Sequence, residues 1–131
     1  MKVAELKKNS KLSITHRNKP QHKIDECLIK IKYCGVCSTD IYRAYDNGAY
    51  NYPLVMGHEI SGTIIDKGSQ VKDLCINDRV SVFPLIPCKK CQYCKKKQYM
   101  RCKNYSYYGS RCTGGFSQHL NVEQWNLIKV P

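Results

Sequence analysis

Two short motifs, 26 residues from end to end, carry the side chains of this sequence that could do chemistry. The first reads C-G-V-C-S-T-D over residues 34–40, and the second reads G-H-E over residues 57–59. A thiolate and a neutral imidazole are ligands that suit Zn²⁺, and a catalytic zinc keeps one coordination position open for water or substrate. The two motifs therefore indicate a metal site built for chemistry. The alternative is a buried free cysteine and a hydrogen-bonded histidine on two unrelated strands.

A second group of cysteines has the spacing C-x-x-C-x-x-C-x7-C, at Cys88, Cys91, Cys94 and Cys102. Short C-x-x-C turns bring pairs of thiolates to one metal, and four thiolates leave a tetrahedral zinc no position for substrate. The spacing therefore predicts a structural zinc in a lobe at residues 88–102. An iron–sulfur cluster is the rival, but the long gap before Cys102 and the lack of a Cys-Pro ending argue against it. Four unrelated buried thiols are the remaining alternative.

The composition is that of one globular domain in a reducing compartment. The chain has 131 residues and nine cysteines, an odd number with no secretion signal, which favours metal binding over disulfides. No apolar run approaches the length of a membrane span, so a cytoplasmic protein with no membrane partner is expected. The formal charge of +12 is compatible with a nucleic acid or an anionic substrate, although lysines this dispersed are typical of a solvated surface.

Short apolar segments separated by turn residues predict a mainly β domain, a barrel or a sandwich, with one or two short helices. Alternation from Cys27 to Tyr33 predicts a half-buried strand that leads into the first motif. Ser38 or Thr39 is expected to cap a helix that ends near Tyr45. Further strands are expected at residues 1–5, 11–16, 60–65, 79–83, 116–122 and 126–130.

Taken together, the motifs resemble those of the zinc-dependent medium-chain alcohol and polyol dehydrogenases. The shared pattern is C-G-V-C-S-T-D, G-H-E-I-S-G, N-D-R-V, the four-cysteine spacing and G-G-F-S-Q-H, in that order over residues 24–131. The resemblance implies that residues 1–131 form the family's N-terminal catalytic domain, a GroES-like β-barrel with short helices and a zinc-binding lobe. It further implies an NAD(P)-linked enzyme that acts on a small-molecule alcohol or polyol. Its full-length form would be a homodimer or a homotetramer, with no nucleic acid partner.

The resemblance also implies a role for each residue of the two motifs. Cys37 and His58 match the family's ligands to the catalytic zinc, and Glu59 matches an acidic residue that can bind the metal transiently. Asp40 matches the carboxylate that orients the ligand histidine. Thr39 matches the hydroxyl that takes the proton from the substrate alcohol. The carbon that bears the substrate oxygen then transfers a hydride to the nicotinamide. The structural zinc ligands of the family are matched by Cys88, Cys91, Cys94 and Cys102.

Some positions depart from the family pattern or match no ligand. Tyr42 stands where many alcohol dehydrogenases carry a relay histidine, so the outer proton path must differ. Asn77 stands where a glycine usually precedes Asp-Arg-Val, and asparagine is among the few residues that tolerate a left-handed conformation. The cysteines that match no ligand are interpreted as packing thiols: Cys27, Cys34, Cys75 and Cys112.

Several short segments resemble the polyol branch of the family most, among them N-G-A at 47–49, Y-P at 52–53 and G-S-R at 109–111. If the substrate is a sugar-alcohol phosphate, Arg43 and Arg111 are candidate contacts for its phosphate. The alternative is that both arginines are structural or simply exposed.

Two parts of the family's active site are not found in the sequence. None of the glycines forms G-x-G-x-x-G and no βαβ pattern follows Val130, so a dinucleotide-binding Rossmann domain is expected to be absent from this chain. The third protein ligand of the catalytic zinc would also lie outside it. The chain alone is then expected to bind the structural zinc tightly, to bind the catalytic zinc weakly or not at all, and to be inactive. One alternative is a zinc-binding module that contacts nucleic acid, which leaves Cys37, Asp40, His58 and Glu59 unexplained. The other is a non-catalytic scaffold with the barrel fold, favoured only if full-length relatives lack the cofactor domain.

Overall fold

Ten strands and two short α-helices make up the structure, a computed structural model that describes all residues from Met1 to Pro131. The fold is mainly β, as the sequence predicts. The strands are β1 (Lys2–Leu6), β2 (Leu12–His16), β3 (Glu26–Gly35), β4 (Leu54–Val55), β5 (Glu59–Lys67), β6 (Arg79–Val82), β7 (Leu85–Ile86), β8 (Ser106–Tyr107), β9 (His119–Glu123) and β10 (Leu127–Lys129). The helices are α1 (Ser38–Tyr45) and α2 (Gln92–Lys95), and 3-10 turns lie at Tyr99–Arg101 and Gln124–Asn126.

Five antiparallel strands form the main sheet, in the order β10-β6-β5-β3-β9. A second sheet has the order β2-β1-β4, and β7 pairs with β8 in a third. The first two sheets are joined where Ala4 donates its backbone N–H to the carbonyl of Phe116, at 2.8 Å. The predicted strand at 116–122 begins only at His119, because residues 114–116 bond instead to the carbonyls of residues 55–57.

Alternating β-branched residues build the core of the main sheet. In β5, Ile60 and Ile64 point inward while Ser61 and Thr63 stay partly exposed, the period of two that a half-buried strand requires. They join a cluster of twelve buried residues that includes Ile29 and Val122. A smaller cluster, made of Leu6, Ala44, Leu54 and Met56, holds α1 against β1 and β4. This second cluster fixes the helix that begins at the first motif.

Strand β3 keeps the predicted position but not the predicted alternation. The ladder pairs Ile31 with Gly62 and Tyr33 with Ser61, so Lys32 has no partner across β5. Such a bulge reverses the facing of the residues that follow it, and Tyr33 is 80% exposed instead of buried. The same bulge turns the end of β3, so that Gly35 lies opposite Glu59.

Helix α1 has the predicted extent, but its N-cap is Cys37 and not Ser38 or Thr39. The Cys37 backbone N–H is bonded to the Asp40 carboxylate at 3.1 Å, and Cys37 has the extended backbone of an N-cap. The helix ends at Tyr45, where the Asp46 N–H closes the last turn on the Tyr42 carbonyl. The predicted metal ligand Cys37 is thus itself the residue that caps the helix.

Positive backbone φ angles occur where the sequence supplies asparagine or glycine. Asn77 has φ 74°, which confirms that it preserves the left-handed turn before Asp78. Gly57 has φ 89° and Gly109 has φ 74°, and the two backbones touch so closely that a Cβ on Gly109 would overlap Gly57. This contact fixes the loop after β8 beside the second motif. No helix of the structure has the length and hydrophobicity needed to cross a membrane.

Candidate metal centres and the adjoining cavity

The four lobe cysteines converge as the spacing predicts. Their sulfur atoms all lie within 4.8 Å of one another. Cys88 Sγ is 3.9 Å from Cys94 Sγ, and Cys91 Sγ is 4.0 Å from Cys102 Sγ. Four sulfurs at about 2.3 Å from one tetrahedral zinc would be about 3.8 Å apart, so the arrangement fits a zinc with no open position.

The lobe has no apolar core that could hold this arrangement by itself. Within residues 88–102 only Cys94 and Cys102 are buried. The backbone N–H of Cys94 lowers the pKa of Cys91 to about 6, whereas burial raises the pKa of the Cys94 thiol. A divalent cation at this position would ionise the buried thiols by direct coordination.

Cys37 sits at the N-terminus of α1, where its surroundings favour the thiolate over the thiol. Hydrogen bonds from the Thr39 hydroxyl and from the Thr39 backbone N–H lower the pKa of the Cys37 thiol. The N-terminus of a helix favours negative charge for the same reason, since its first N–H groups have no partner within the helix. The residue is therefore ready to bind a metal. The half-buried Cys34, three residues earlier, has its pKa raised by burial to about 11 and is not.

His58 faces the buried carboxylate of Asp40. The Asp40 side chain is 2% exposed, and its Oδ1 lies 3.6 Å from His58 Nδ1. Arg43 Nη1 is 3.4 Å from the same oxygen, which gives the buried charge a cationic partner. His58 Nδ1 is buried and has no hydrogen-bond partner within the usual distance limit. With Nδ1 turned towards Asp40, Nε2 is the nitrogen that remains for a metal.

Cys37, His58 and Glu59 converge in the same way as the lobe cysteines. One donor atom from each lies within 4.8 Å of the other two. Glu59 is the first residue of β5 and lies across the ladder from Gly35. A Cβ at position 35 would overlap the Glu59 carboxylate, so the glycine provides the space in which that carboxylate sits. Three converging donors, a thiolate, an imidazole and a carboxylate, fit the ligand set of a zinc with room for a further ligand.

A cavity of about 340 Å³ adjoins this second centre. His58 and Thr39 line it on the metal side, and Arg43 Nη1 donates to Thr39 Oγ1 at 3.0 Å. The rest of the lining is Tyr50, Leu85, Met100, Tyr105, Tyr107 and Ser110. A larger apolar cavity of about 510 Å³ lies at Phe83, Tyr99 and Trp125, but it holds no donor of either metal centre. We therefore take the smaller cavity as the candidate substrate site.

Three contacts of the site are not predicted by the sequence analysis: Tyr107 with His58, Gly35 with Glu59, and Arg43 with Thr39. Tyr107 stands edge-on to His58 with ring centroids 5.8 Å apart, and burial raises the pKa of its hydroxyl. Gly35 carries no sequence signal beyond its place in the first motif. The bond between Arg43 and Thr39 could have been found, because residues four apart share one face of a helix. Tyr42 lies outside the site and covers Gly48 with its ring.

The packing role predicted for the remaining cysteines holds for three of the four. Cys27 is buried in the main core, and Cys34 and Cys112 are half-buried against it. For Cys75 the prediction is wrong, because this residue is exposed. It lies in the turn closed by Asp78, whose carboxylate accepts a hydrogen bond from the Cys75 backbone N–H at 2.8 Å. The backbone of Cys75 thus stabilises the turn, whereas its thiol does not pack in the core.

Comparison with known proteins agrees with the fold. The chain is 42% identical over 107 residues to galactitol 1-phosphate 5-dehydrogenase of Escherichia coli K12, an alignment that covers 82% of this chain and 31% of that protein. It is 39% identical over 105 residues to L-galactonate-5-dehydrogenase of the same strain, covering 79% of this chain and 31% of that protein. The crystal structure of galactitol-1-phosphate dehydrogenase from Escherichia coli superposes with a TM-score of 0.96 at 37% identity, over 100% of this chain and 38% of that one.

The chain thus spans about a third of the length of these relatives. Residues 23–131 match the family described as the alcohol dehydrogenase GroES-like domain. The match covers most of the chain and contains both converging groups of donors. The mainly β architecture agrees with the structural superposition. This protein therefore belongs to the alcohol dehydrogenase GroES-like domain family.

Proposed function

We propose that this chain is the catalytic-domain portion of a zinc-dependent NAD(P) oxidoreductase that oxidises a secondary alcohol of a polyol or sugar-alcohol phosphate to a ketone. The observation that carries the proposal is the convergence of Cys37, His58 and Glu59 beside a cavity that also exposes the Thr39 hydroxyl. A lone metal site would need no such cavity. The relatives that act on galactitol 1-phosphate and L-galactonate support a polyol as the substrate.

In this proposal the two groups of donors have different tasks. Cys88, Cys91, Cys94 and Cys102 hold a structural zinc, and Cys37 and His58 hold the catalytic one, with Glu59 as a ligand that can bind it transiently. When bound, the catalytic zinc makes the substrate hydroxyl more acidic, and the nicotinamide accepts the hydride. The nicotinamide would be held by a Rossmann domain outside residues 1–131. The third protein ligand of the catalytic zinc would also lie outside these residues. The full-length protein would be a cytoplasmic homodimer or homotetramer, in keeping with nine unpaired cysteines.

The proton of the substrate hydroxyl leaves through Thr39. A guanidinium can only donate, so Thr39 Oγ1 must be the acceptor in its 3.0 Å bond to Arg43, which fixes the rotamer of Thr39. The second lone pair of Oγ1 can take the substrate proton. The original Thr39 proton, which is donated to the Cys37 sulfur in the free site, then turns away from that sulfur and is released to solvent. The carbon loses a hydride with both electrons of its C–H bond, and the hydroxyl loses a proton, so the ketone is two electrons more oxidised than the alcohol.

Asp40 and Arg43 prepare the site for this transfer. The carboxylate anchors the Cys37 backbone N–H with one oxygen and faces His58 with the other. It thereby sets the positions of two ligands that lie 21 residues apart in the chain. Tyr42, at the relay position of other family members, is 57% exposed and turned away. The proton therefore passes from Thr39 to solvent in this proposal and not through residue 42.

The test uses the complete product of the gene, with galactitol 1-phosphate, galactitol and L-galactonate as substrates and NAD⁺ or NADP⁺ as acceptor. Cys37→Ser should lower kcat/KM more than about a hundredfold, since a metal ligand supplies several kcal/mol of transition-state stabilisation. Cys75→Ser is the matched control, because it removes an exposed thiol far from both groups of donors. Equal activity of the two variants would contradict the proposed role of Cys37. Absence of any alcohol-dependent NAD(P)H formation by the wild-type protein would sink the proposed function.

A further inference from the structure

Arg111 is held at the edge of the candidate substrate cavity by two tyrosines. Its guanidinium carbon lies 4.2 Å from the ring centroid of Tyr50 and 4.6 Å from that of Tyr105. Both rings line the cavity, as does the neighbouring Ser110, which is buried. Arginine stacks on aromatic faces in this way through its weakly hydrated planar surface.

Stacking leaves the donors of this guanidinium available. The five N–H groups of an arginine point outward in its plane, so rings on its faces do not cover them. One of them reaches the Tyr105 hydroxyl at 3.5 Å, the outer limit of a hydrogen bond. No carboxylate lies within 4.0 Å of Arg111, whereas Arg17 pairs with Glu5 and Arg43 pairs with Asp40. Arg111 is thus a positioned cation beside the cavity that has no counterion.

The loop that carries Arg111 is fixed relative to His58. Gly109 packs on the backbone of Gly57, and its N–H donates to the Cys112 carbonyl at 3.0 Å. The Arg111 N–H donates to the Tyr107 carbonyl at 3.0 Å. The backbone that carries Arg111 is therefore fixed relative to His58, and the two tyrosine rings position the guanidinium. A preorganised cation of this kind costs little further entropy when it binds an anion.

We propose that Arg111 binds the phosphate of a sugar-alcohol phosphate whose reacting hydroxyl lies at Thr39 and His58. The proposal rests on the proposed function for the position of that hydroxyl. A planar fork of donors matches the oxygens of a phosphate monoester, and the tyrosine hydroxyls and Ser110 offer partners to the polyol chain between the two ends. The cavity volume of about 340 Å³ lies within the range typical of small-molecule sites, roughly 300–1,000 Å³.

The experiment is calorimetric titration of the zinc-loaded complete gene product with galactitol 1-phosphate, galactitol and inorganic phosphate. Arg111→Met should weaken binding of galactitol 1-phosphate by about 10-fold to 100-fold, the range for losing hydrogen bonds to a charged group. The affinity of Arg111→Lys for galactitol 1-phosphate should fall between those of wild type and Arg111→Met, because a lysine keeps the charge but loses the planar fork and the stacking. The matched control is Arg101→Met, which removes another arginine that stacks on a tyrosine, Tyr93, and lies outside this cavity. It should change the affinity by less than about twofold.

Three results would overturn the proposal. One is equal weakening by Arg111→Met and Arg101→Met, which would mean a general effect of net charge. Another is galactitol binding as tightly as galactitol 1-phosphate, and the third is inorganic phosphate binding as tightly as the ester. Zinc content of each variant, measured in the same samples, shows whether the variant has kept its fold.

This test separates the anion site from the proposed function. If Arg111→Met abolishes the preference for the phosphate ester while Cys37→Ser leaves alcohol oxidation by the complete gene product intact, the anion site is supported and the proposed catalytic role of Cys37 fails. If Cys37→Ser abolishes oxidation but galactitol and its phosphate are oxidised equally well by wild type and Arg111→Met, the function is supported and the anion site is overturned.

Discussion

Gly35 lies directly across the β3–β5 ladder from Glu59, and the Glu59 carboxylate occupies the space that a Cβ on residue 35 would fill. The glycine is thus part of the candidate catalytic centre although it has no side chain. The bulge at Lys32 brings the two residues into register, because without it the end of β3 would face the other way. A single methyl group added at residue 35 would therefore displace the Glu59 carboxylate.

Gly35→Ala should weaken metal binding at Cys37, His58 and Glu59 and leave the lobe zinc in place. The atoms that an alanine would displace belong to the flexible Glu59 side chain, so the fold should persist while the carboxylate moves. We expect the second equivalent of Co²⁺ to bind roughly 10-fold to 100-fold more weakly, by visible absorption, with the first equivalent unchanged. In a Glu59→Ala background the same glycine substitution should have no further effect. An additional loss there would show that Gly35 acts through something other than Glu59.

The sequence was sufficient for the parts of the site that are local in the chain. Cys37, Thr39 and Asp40 fall on one turn of one helix, so their spacing alone places them together. The same holds for the lobe, where short C-x-x-C turns determine which sulfurs can meet. Helix α1 and most strands are predicted for the same reason, since period and turn residues are local signals.

Contacts between distant segments were beyond the reach of such patterns. The Arg111 guanidinium stacks on the Tyr50 ring, and neither segment carries a sequence signal that predicts this contact. The bulge at Lys32 depends on the partner strand, so the alternation in β3 predicted a buried Tyr33 that the structure exposes. Cys75 is likewise exposed and not packed, because it lies in the turn that Asp78 closes. Strand register and contacts between distant segments of the chain, and not residue type, determine these contacts and exposures.

Ile64→Ala should destabilise the main core by about 2–5 kcal/mol, the usual cost of a cavity left by a large aliphatic residue. Ile64 is 0% exposed and belongs to the twelve-residue cluster. Ile14→Ala is the matched control, since Ile14 lies on β2 and is 67% exposed; its cost should stay below about 1 kcal/mol. Urea unfolding of the zinc-saturated proteins, followed by circular dichroism, measures both. Equal midpoints for the two variants would contradict the assignment of Ile64 to the core.

The ion pair between Asp78 and Lys129 should give a measurable pH dependence. A hydrogen bond from Lys129 and the Cys75 backbone N–H lower the pKa of Asp78 below its ordinary 3.8, and Asp78 raises the pKa of Lys129 above 10.5. The contribution of Asp78 to folding stability is therefore present above pH 3.8 and is lost as the pH falls through the lower pKa of the folded state. The contribution of Lys129 to folding stability is present below pH 10.5 and is lost as the pH rises through the higher pKa of the folded state. In Lys129→Met the Asp78 carboxyl should titrate closer to 3.8, as followed by carbon NMR. Lys96→Met should leave that titration unchanged, and identical curves for both variants would rule out the pairing.

Removal of zinc from the lobe should unfold residues 88–102 and spare the main sheet. Only Cys94 and Cys102 are buried in the lobe, so thiolate–metal bonds must supply the stability that an apolar core supplies elsewhere. Hydrogen exchange after chelation should show loss of protection at the N–H groups of Lys97 and Cys102, which bond to the Cys94 and Tyr99 carbonyls at 2.9 and 3.0 Å. The Ile64 N–H, bonded to Asp78 in the core, should stay protected. Cys94→Ser should reproduce the chelated pattern at full zinc concentration, and Cys75→Ser should not. If the lobe amides stayed protected without metal, its order would have to come from side-chain packing that the burial of these residues does not provide.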